Sequence, residues 1–261
     1  MRLAVWQTQG FGADRGANLA ALAATARAAA AAGATLLLTP ECWLGGYNVD
    51  IAAGAEPADG PSARAIAALA RETGLAIAYG YAERDGEAVY NSAAVIGPEG
   101  TVLGHYRKTH LFGDFERAAY TPGICFSRPF AFGGFNIGLL ICYDIEFPEA
   151  VRATALAGAD LILIPTALTP EYEAVPGIIV PARAVENQCF VAYCNHAGTE
   201  NGLTYLGGSC IAGPDGGKLA AAGAGEALLI ADIEPSMIAA LAATFPYRAE
   251  RRPELYATTP K

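Results

Sequence analysis

Cys142 closes an apolar run, Gly138-Leu-Leu-Ile-Cys142, and Tyr143-Asp144-Ile145-Glu146-Phe147-Pro148-Glu149 follows at once. That pattern predicts a buried strand giving way to a proline-initiated helix, with the thiol at the elbow. A cysteine placed there is sterically reachable and lies near backbone N–H groups and a positive helix end, which would favour its thiolate. Two further segments deliver charge where an apolar strand stops. Thr35-Leu-Leu-Leu-Thr-Pro-Glu41 ends in a carboxylate just past a proline that cannot continue a ladder, and Thr101-Val-Leu-Gly-His-Tyr-Arg-Lys108 ends in adjacent cations. Taken singly, the first is an ordinary core cysteine and the others are solvated strand ends. Taken together they supply a nucleophile, a proton-transfer base and a cation for a developing oxyanion, the three roles of thiol-based acyl transfer.

A free thiol with a pKa near ~8.5 is only slightly ionised at neutrality, so such a site must either lower that pKa or remove the proton during attack. Glu41 suits the second task, because a carboxylate enclosed beside a cysteine is made more basic by desolvation.

At these residues the chain resembles a known family. Pro40-Glu41, Tyr106-Arg-Lys108 and Cys142-Tyr-Asp-Ile-Glu-Phe-Pro-Glu149 are similar, in order and separation, to the three signature blocks of the nitrilase superfamily of carbon–nitrogen hydrolases. The likeness continues through Tyr90-Asn91-Ser92, Gly158-Ala-Asp160, Arg183-Ala-Val-Glu186-Asn187 and Gly213-Pro-Asp-Gly216. Within the superfamily the nearer resemblance is to aliphatic amidases of ω-amino amides, such as 5-aminopentanamidase and R-stereoselective amidases. It implies a four-layer αββα sandwich of two mixed sheets, with Glu41, Lys108 and Cys142 as the catalytic residues. It also implies a second glutamate, Glu116, eight residues after Lys108, in a structural or substrate-orienting role. Candidate oxyanion or substrate contacts are Tyr143, through its backbone N–H beside Lys108, with Tyr47, Glu146 and Asp114. Relatives pair as homodimers or larger assemblies, so a carbon–nitrogen hydrolase domain over 1–243 and a tail over 244–261 that reaches a dimer interface are expected.

Departures from neighbouring activities narrow the substrate. Similar D-carbamoylases carry two arginines at the positions of Ile145 and Glu146, where they clamp a substrate carboxylate. Here an apolar side chain and an acid stand instead. Nitrilases usually follow the cysteine with Trp-Glu rather than Tyr143-Asp144. A small aliphatic carboxamide is therefore expected, hydrolysed to the acid and ammonia through a thioester, with Glu146, Asp114 or Glu173 facing an amine. The alternatives are N-carbamoyl amide hydrolysis, nitrile hydrolysis and a non-catalytic binding protein that keeps the fold.

With 261 residues, 53% apolar and 16% charged, the chain can bury one substantial core. A formal charge of −9 with scattered Lys and Arg argues against a nucleic-acid surface. Its start, Met1-Arg-Leu-Ala-Val-Trp-Gln7, develops no signal-peptide core, so the six cysteines are expected reduced, in the cytoplasm. No apolar stretch reaches the length of a membrane span, since Asp160 interrupts the longest. Gly207-Gly208-Ser209 lacks the lysine and second serine of a serine amidase, and His105, His110 and His196 follow no nucleophile elbow. Neither zinc spacing nor a phosphate-binding glycine loop occurs, so no metal and no cofactor is expected, only an amide and water.

Periodicity predicts strands over 2–8, 35–39, 75–79, 88–96, 101–107, 135–141, 161–164, 190–194, 205–212 and 227–232. Helices are predicted over 18–32, 61–73, 148–156, 181–187 and 235–242, with a hairpin turn at 97–100. About ten strands are more than one flat sheet holds comfortably, so two stacked sheets are expected.

Overall fold

The computed structural model describes residues 1–256. The elements, in chain order, are β1 (Arg2–Gln7), α1 (Arg15–Ala31), β2 (Leu36–Leu38), α2 (Ile51–Gly54), α3 (Pro61–Thr73), β3 (Ala76–Asp85), β4 (Ala88–Ile96), β5 (Val102–Arg107) and α4 (Gly113–Ala119). They continue with β6 (Phe130–Phe132), β7 (Phe135–Leu139), α5 (Pro148–Leu156), β8 (Leu161–Pro165), α6 (Val180–Asn187), β9 (Phe190–Cys194), β10 (Thr199–Glu200) and β11 (Leu203–Thr204). The last are β12 (Cys210–Ala212), β13 (Lys218–Ala221), β14 (Ala227–Asp232), α7 (Pro235–Thr244) and α8 (Pro253–Tyr256).

Two mixed six-stranded sheets result, in the orders β14-β1-β2-β3-β4-β5 and β13-β12-β9-β8-β7-β6. In each, three central strands run parallel, β1 to β3 and β7 to β9, and antiparallel strands close the flanks. Strand alternation assigns the layers. Leu3 and Val5 of β1 face the second sheet and pack with Ile137, Leu139, Leu161 and Leu163, while Ala4 and Trp6 point outward to Leu22, Ala26 and Ile66 of α1 and α3. Helices α5 and α6 cover the second sheet through Ala150, Val151, Val180 and Ala184. The architecture is the expected αββα sandwich. Central strands buried on both faces explain why Leu36–Leu38 and Leu161–Pro165 read as unbroken apolar runs.

Local chemistry sets the element ends. Asp14 caps α1 by accepting the Ala17 N–H at 3.0 Å, which starts the helix three residues before the predicted 18. Pro61 opens α3, and Gly74, at φ 72°, closes it. The strand predicted over 205–212 shrinks to Cys210–Ala212, because Gly207 and Gly208 take φ of 70° and 68° and bend the chain. Short β6, β13 and α4 were too brief to carry a periodic signal of their own.

Helix α7 runs two residues beyond its predicted end, and the segment after it folds back on its own chain. Gln188 Nε2 donates to the Phe245 carbonyl at 2.6 Å, its Oε1 accepts the Arg248 N–H at 3.1 Å, and Arg248 Nη2 donates to the Ala155 carbonyl. The end of the expected tail, 257–261, lies outside the described residues. Among the described residues no helix is long and apolar enough to cross a membrane.

Candidate active site

The ends of β2, β5 and β7 bring Glu41, Lys108 and Cys142 into one buried cluster, and α4 adds Glu116. Glu41, Lys108 and Glu116 are almost wholly removed from solvent. Lys108 Nζ donates to Glu41 Oε1 and to Glu116 Oε1, both at 2.7 Å. Asn91 Nδ2, from β4, donates to the same Glu41 oxygen at 2.7 Å and reaches Glu116 Oε1 at 3.3 Å. Cys42 Sγ fixes the orientation of that amide by donating to Asn91 Oδ1 at 3.3 Å.

The two carboxylates end up in different states of occupancy. Glu116 accepts Lys108 Nζ, the Tyr47 hydroxyl at 2.8 Å and, on Oε2, the Phe112 backbone N–H at 2.7 Å. Glu41 spends only Oε1, and its buried Oε2 has no hydrogen-bond partner. An unpaired buried acceptor is costly unless a reacting proton visits it. Burial pushes the Glu41 carboxyl up to about 7, against the pull of the Lys108 ammonium, with Glu116 adding to the rise. For Lys108 burial alone would favour the neutral amine, but Glu41 and Glu116 outweigh it and hold the ammonium well above its ordinary value. The trio is therefore a cation locked between two acids, one of which has a free oxygen and titrates near neutrality.

Cys142 sits on a strained backbone. Its φ of 44° is unusual for a residue with a Cβ, and a single 3₁₀ turn, Cys142–Glu146, separates β7 from α5 where a direct strand-to-helix elbow was expected. Asp144 builds that turn. Its fully buried carboxylate accepts the Ile141 N–H at 3.0 Å and the Tyr106 hydroxyl at 2.9 Å on one oxygen. The other oxygen accepts the Thr109 hydroxyl at 2.9 Å, the His110 N–H at 3.0 Å and bonds His110 Nδ1 at 2.8 Å. Asp144 thereby ties the cysteine turn to the segment that carries Lys108. His110 packs flat on Phe147, with ring centroids 3.9 Å apart, and serves this brace.

The thiol itself corrects the sequence expectation. Burial, reinforced by the Glu41 charge, raises Cys142 well above the ordinary thiol value, and Lys108 and the Ala167 backbone offset only part of this. Cys142 rests as a neutral thiol, because desolvation outweighs the positive turn terminus that was expected to favour the thiolate. Proton removal must then accompany attack.

Cys142 opens onto a cavity of about 310 Å³ whose wall includes the aromatic side chains Tyr47, Phe112, Phe115, Tyr143 and Tyr172. Phe112 meets Tyr143 and Tyr172 edge-on at 5.2 and 5.6 Å, and Tyr47 lies 5.8 Å from Phe115. Among the lining residues Asp114 and Glu146 are the charged ones, and neither Lys nor Arg is present. Glu146 is half-buried, which raises its carboxyl against the pull of Lys108 and Arg183. Asp114 is exposed at the rim and pairs with Arg117 at 2.9 Å, and Glu173 falls outside the cavity wall. Tyr47 lines the wall with its hydroxyl committed to Glu116. Glu116 lies on the buried side of a short helix, α4. Its reach back to the Phe112 N–H resembles a capping box and explains why so short a helix forms there. Asn91 and Asp144 went unassigned in the sequence, although a lone amide inside the apolar strand Ala88–Ile96 is the kind of anomaly that marks a site.

Residues 2–243 match the carbon-nitrogen hydrolase family, and the chain belongs to it. It is accordingly an enzyme, a hydrolase of carbon–nitrogen bonds. Among curated relatives, the "Hydrolase in pqqF 5'region" of Pseudomonas protegens is 45% identical over 98% of this chain and 90% of its own length. The "(R)-stereoselective amidase" of a Pseudomonas species is 34% identical over 97% and 92%. Among solved structures, the amidase of Nesterenkonia sp. AN1 superposes with a TM-score of 0.90 at 37% identity, over 98% of this chain and 95% of that one. Mutants of that amidase have been captured with acrylamide, and with the acetamide moiety of fluoroacetamide covalently added at the active site cysteine.

Proposed function

We propose that the protein is an amidase that converts small aliphatic carboxamides, neutral or carrying a distal amine, to the acid and ammonia. The observation that carries this reading is the unpaired Oε2 of Glu41 in a cluster whose other carboxylate oxygens are all engaged, beside a thiol that opens onto a small, partly aromatic cavity. Glu41 takes the Cys142 proton as sulfur attacks the amide carbonyl carbon. The oxyanion that forms is held by Lys108 and the Tyr143 N–H. Collapse breaks the C–N bond, Glu41 returns the proton to nitrogen, and ammonia leaves a thioester on Cys142. Water, deprotonated by Glu41, then attacks the thioester; the acid departs and the thiol is restored. Glu116, braced by Tyr47 and the Phe112 N–H, keeps Lys108 in place. The names of the relatives support amide chemistry, and the cytoplasm and a homodimer complete the reading.

The acidic wall supports the choice of substrate charge. A substrate carboxylate would face the half-buried Glu146 with no lining cation to meet it, and an unpaired like charge in an enclosed site can cost several kcal/mol. The test is ammonia release from 5-aminopentanamide, pentanamide and the half-amide of glutaric acid, which are similar in length and differ in end charge. The half-amide is expected to have the lowest kcat/KM, and a preference for it would overturn this assignment of the wall.

A further inference from the structure

A second buried acid–imidazole pair lies against the backbone of Glu41. His196 follows β9 and has no exposed surface, and Glu200, in the β10–β11 hairpin, is 4% exposed. His196 Nε2 is 2.7 Å from the Glu41 carbonyl oxygen. A carbonyl only accepts, so Nε2 carries the proton and a neutral imidazole presents a bare Nδ1. That nitrogen is 3.6 Å from Glu200 Oε2, and neither it nor either Glu200 oxygen has a hydrogen-bond partner of ordinary geometry. These three adjacent buried polar atoms, with only the Gly12 backbone near the acid, mark a place where a proton is missing from the count of bonds.

The surroundings keep this pair dry and in register. The Tyr205 ring stacks on His196 with centroids 4.5 Å apart. Gly10 leaves room for the acid, since a Cβ there would come within 3.1 Å of Glu200 Oε1. Glu226, which meets the end of β1, is occupied by the Thr8 hydroxyl at 2.8 Å and the Gln9 N–H at 3.1 Å. Burial lowers the His196 imidazole to about 4, so it is neutral at pH 7, and burial also raises the Glu200 carboxyl, against the Gly12 backbone. Glu41 N–H bonds the Thr166 carbonyl at a long 3.3 Å, and the next residue, Cys42, has a φ of 47°.

The geometry points to Glu200 and His196 as a positioning relay, in which the Glu200 carboxylic acid donates its proton to His196 Nδ1 and the His196 Nε2–H holds the Glu41 carbonyl. No proton is transferred in this arrangement; the relay fixes the backbone that aims Glu41 Oε2. It rests on the assignment of Glu41 as the base.

The test compares Glu200→Gln, Glu200→Leu and His196→Leu in kcat, KM, the pH profile of kcat/KM and thermal midpoint, with Glu41→Gln beside them. A glutamine amide can donate to Nδ1 as the acid does, so Glu200→Gln should lose less than about threefold in kcat and leave the acid limb of the profile in place. Leucine fills the same space but donates nothing. Glu200→Leu and His196→Leu should lose roughly 10- to 100-fold in kcat with KM little changed, as expected when a reacting group is misplaced by a fraction of an ångström. Equal kcat for Glu200→Gln and Glu200→Leu would show a packing role and overturn the relay. So would an acid limb displaced by Glu200→Gln, which would mean that Glu200 is ionised; this readout stands even if the leucine variants do not fold. Wild-type turnover by Glu41→Gln would overturn the base assignment and the relay together, whereas an inactive Glu41→Gln beside fully active relay variants would remove the relay alone.

Discussion

Asp144→Asn should damage both stability and turnover, for a reason visible in its five bonds. The carboxylate accepts backbone N–H groups on each oxygen, from Ile141 on one and His110 on the other. An asparagine has one acceptor oxygen, so whichever way the amide is turned its NH₂ faces a buried backbone N–H. Leaving such a donor unsatisfied costs about 1–3 kcal/mol, and the lost charge assistance on the remaining bonds adds to it. A total of about 3 kcal/mol would lower the thermal midpoint by roughly 6–12 °C in a chain of this size. Relaxation of the Cys142–Glu146 turn would also misplace the sulfur, with a loss of about 10²-fold in kcat/KM. Tyr106→Phe removes one donor and leaves the acceptor otherwise satisfied, so it should cost only about 1 kcal/mol. Differential scanning fluorimetry and amide hydrolysis on the same preparations measure both effects. If Asp144→Asn melts within about 1 °C of the parent and retains its kcat/KM, the brace is not what holds the turn.

Other outcomes follow from the same contacts. The acid limb of kcat/KM should fall near pH 7, because the base must be ionised and Glu41 is raised from the ordinary 4.5 to about 7. Between those two values the folded chain holds a proton that the unfolded chain has released, so this group's contribution to stability declines as pH rises from about 4.5 to 7. Glu41→Gln should abolish that slope while removing activity, with a thermal midpoint equal to or above the parent's at pH 8. Tyr47→Phe should lower kcat by about tenfold or less, since Glu116 keeps Lys108 and the Phe112 N–H, whereas Lys108→Met should remove several kcal/mol of transition-state stabilisation. Light scattering should give at least a dimer, because Phe245, Tyr247 and Tyr256 are left exposed, the two tyrosines beside Arg152 and Arg251; a 27 kDa particle at micromolar concentration would contradict it.

Much of this was legible in the sequence where long-range order leaves a local signature. Fully buried parallel strands announce themselves as apolar runs, and the proline and glycine punctuation of α3 and α5 placed both helices without error. Glu41 and Cys142 were visible because each follows such a run, and Lys108 because it ends the edge strand Val102–Arg107 in adjacent cations. The pairing of Glu116 with Lys108 was not, since α4 is seven residues long and exists partly through the Glu116 carboxylate itself. The state of the thiol was also hidden. A turn terminus suggests a stabilised thiolate, but only the packed structure reveals that burial beside Glu41 outweighs it. Asp144, Asn91 and the His196–Glu200 pair act across 34 to 155 residues of chain, a distance at which one sequence carries no coupling signal.

The central claim is that Cys142 carries the acyl group. Rapid acid quench during turnover of a slow amide, followed by intact-mass measurement and peptide mapping, should show the mass of the substrate less ammonia on the peptide containing Cys142, and Cys142→Ala should show neither adduct nor turnover. An adduct on the Cys42 or Cys125 peptide, or wild-type turnover by Cys142→Ala, would contradict the account.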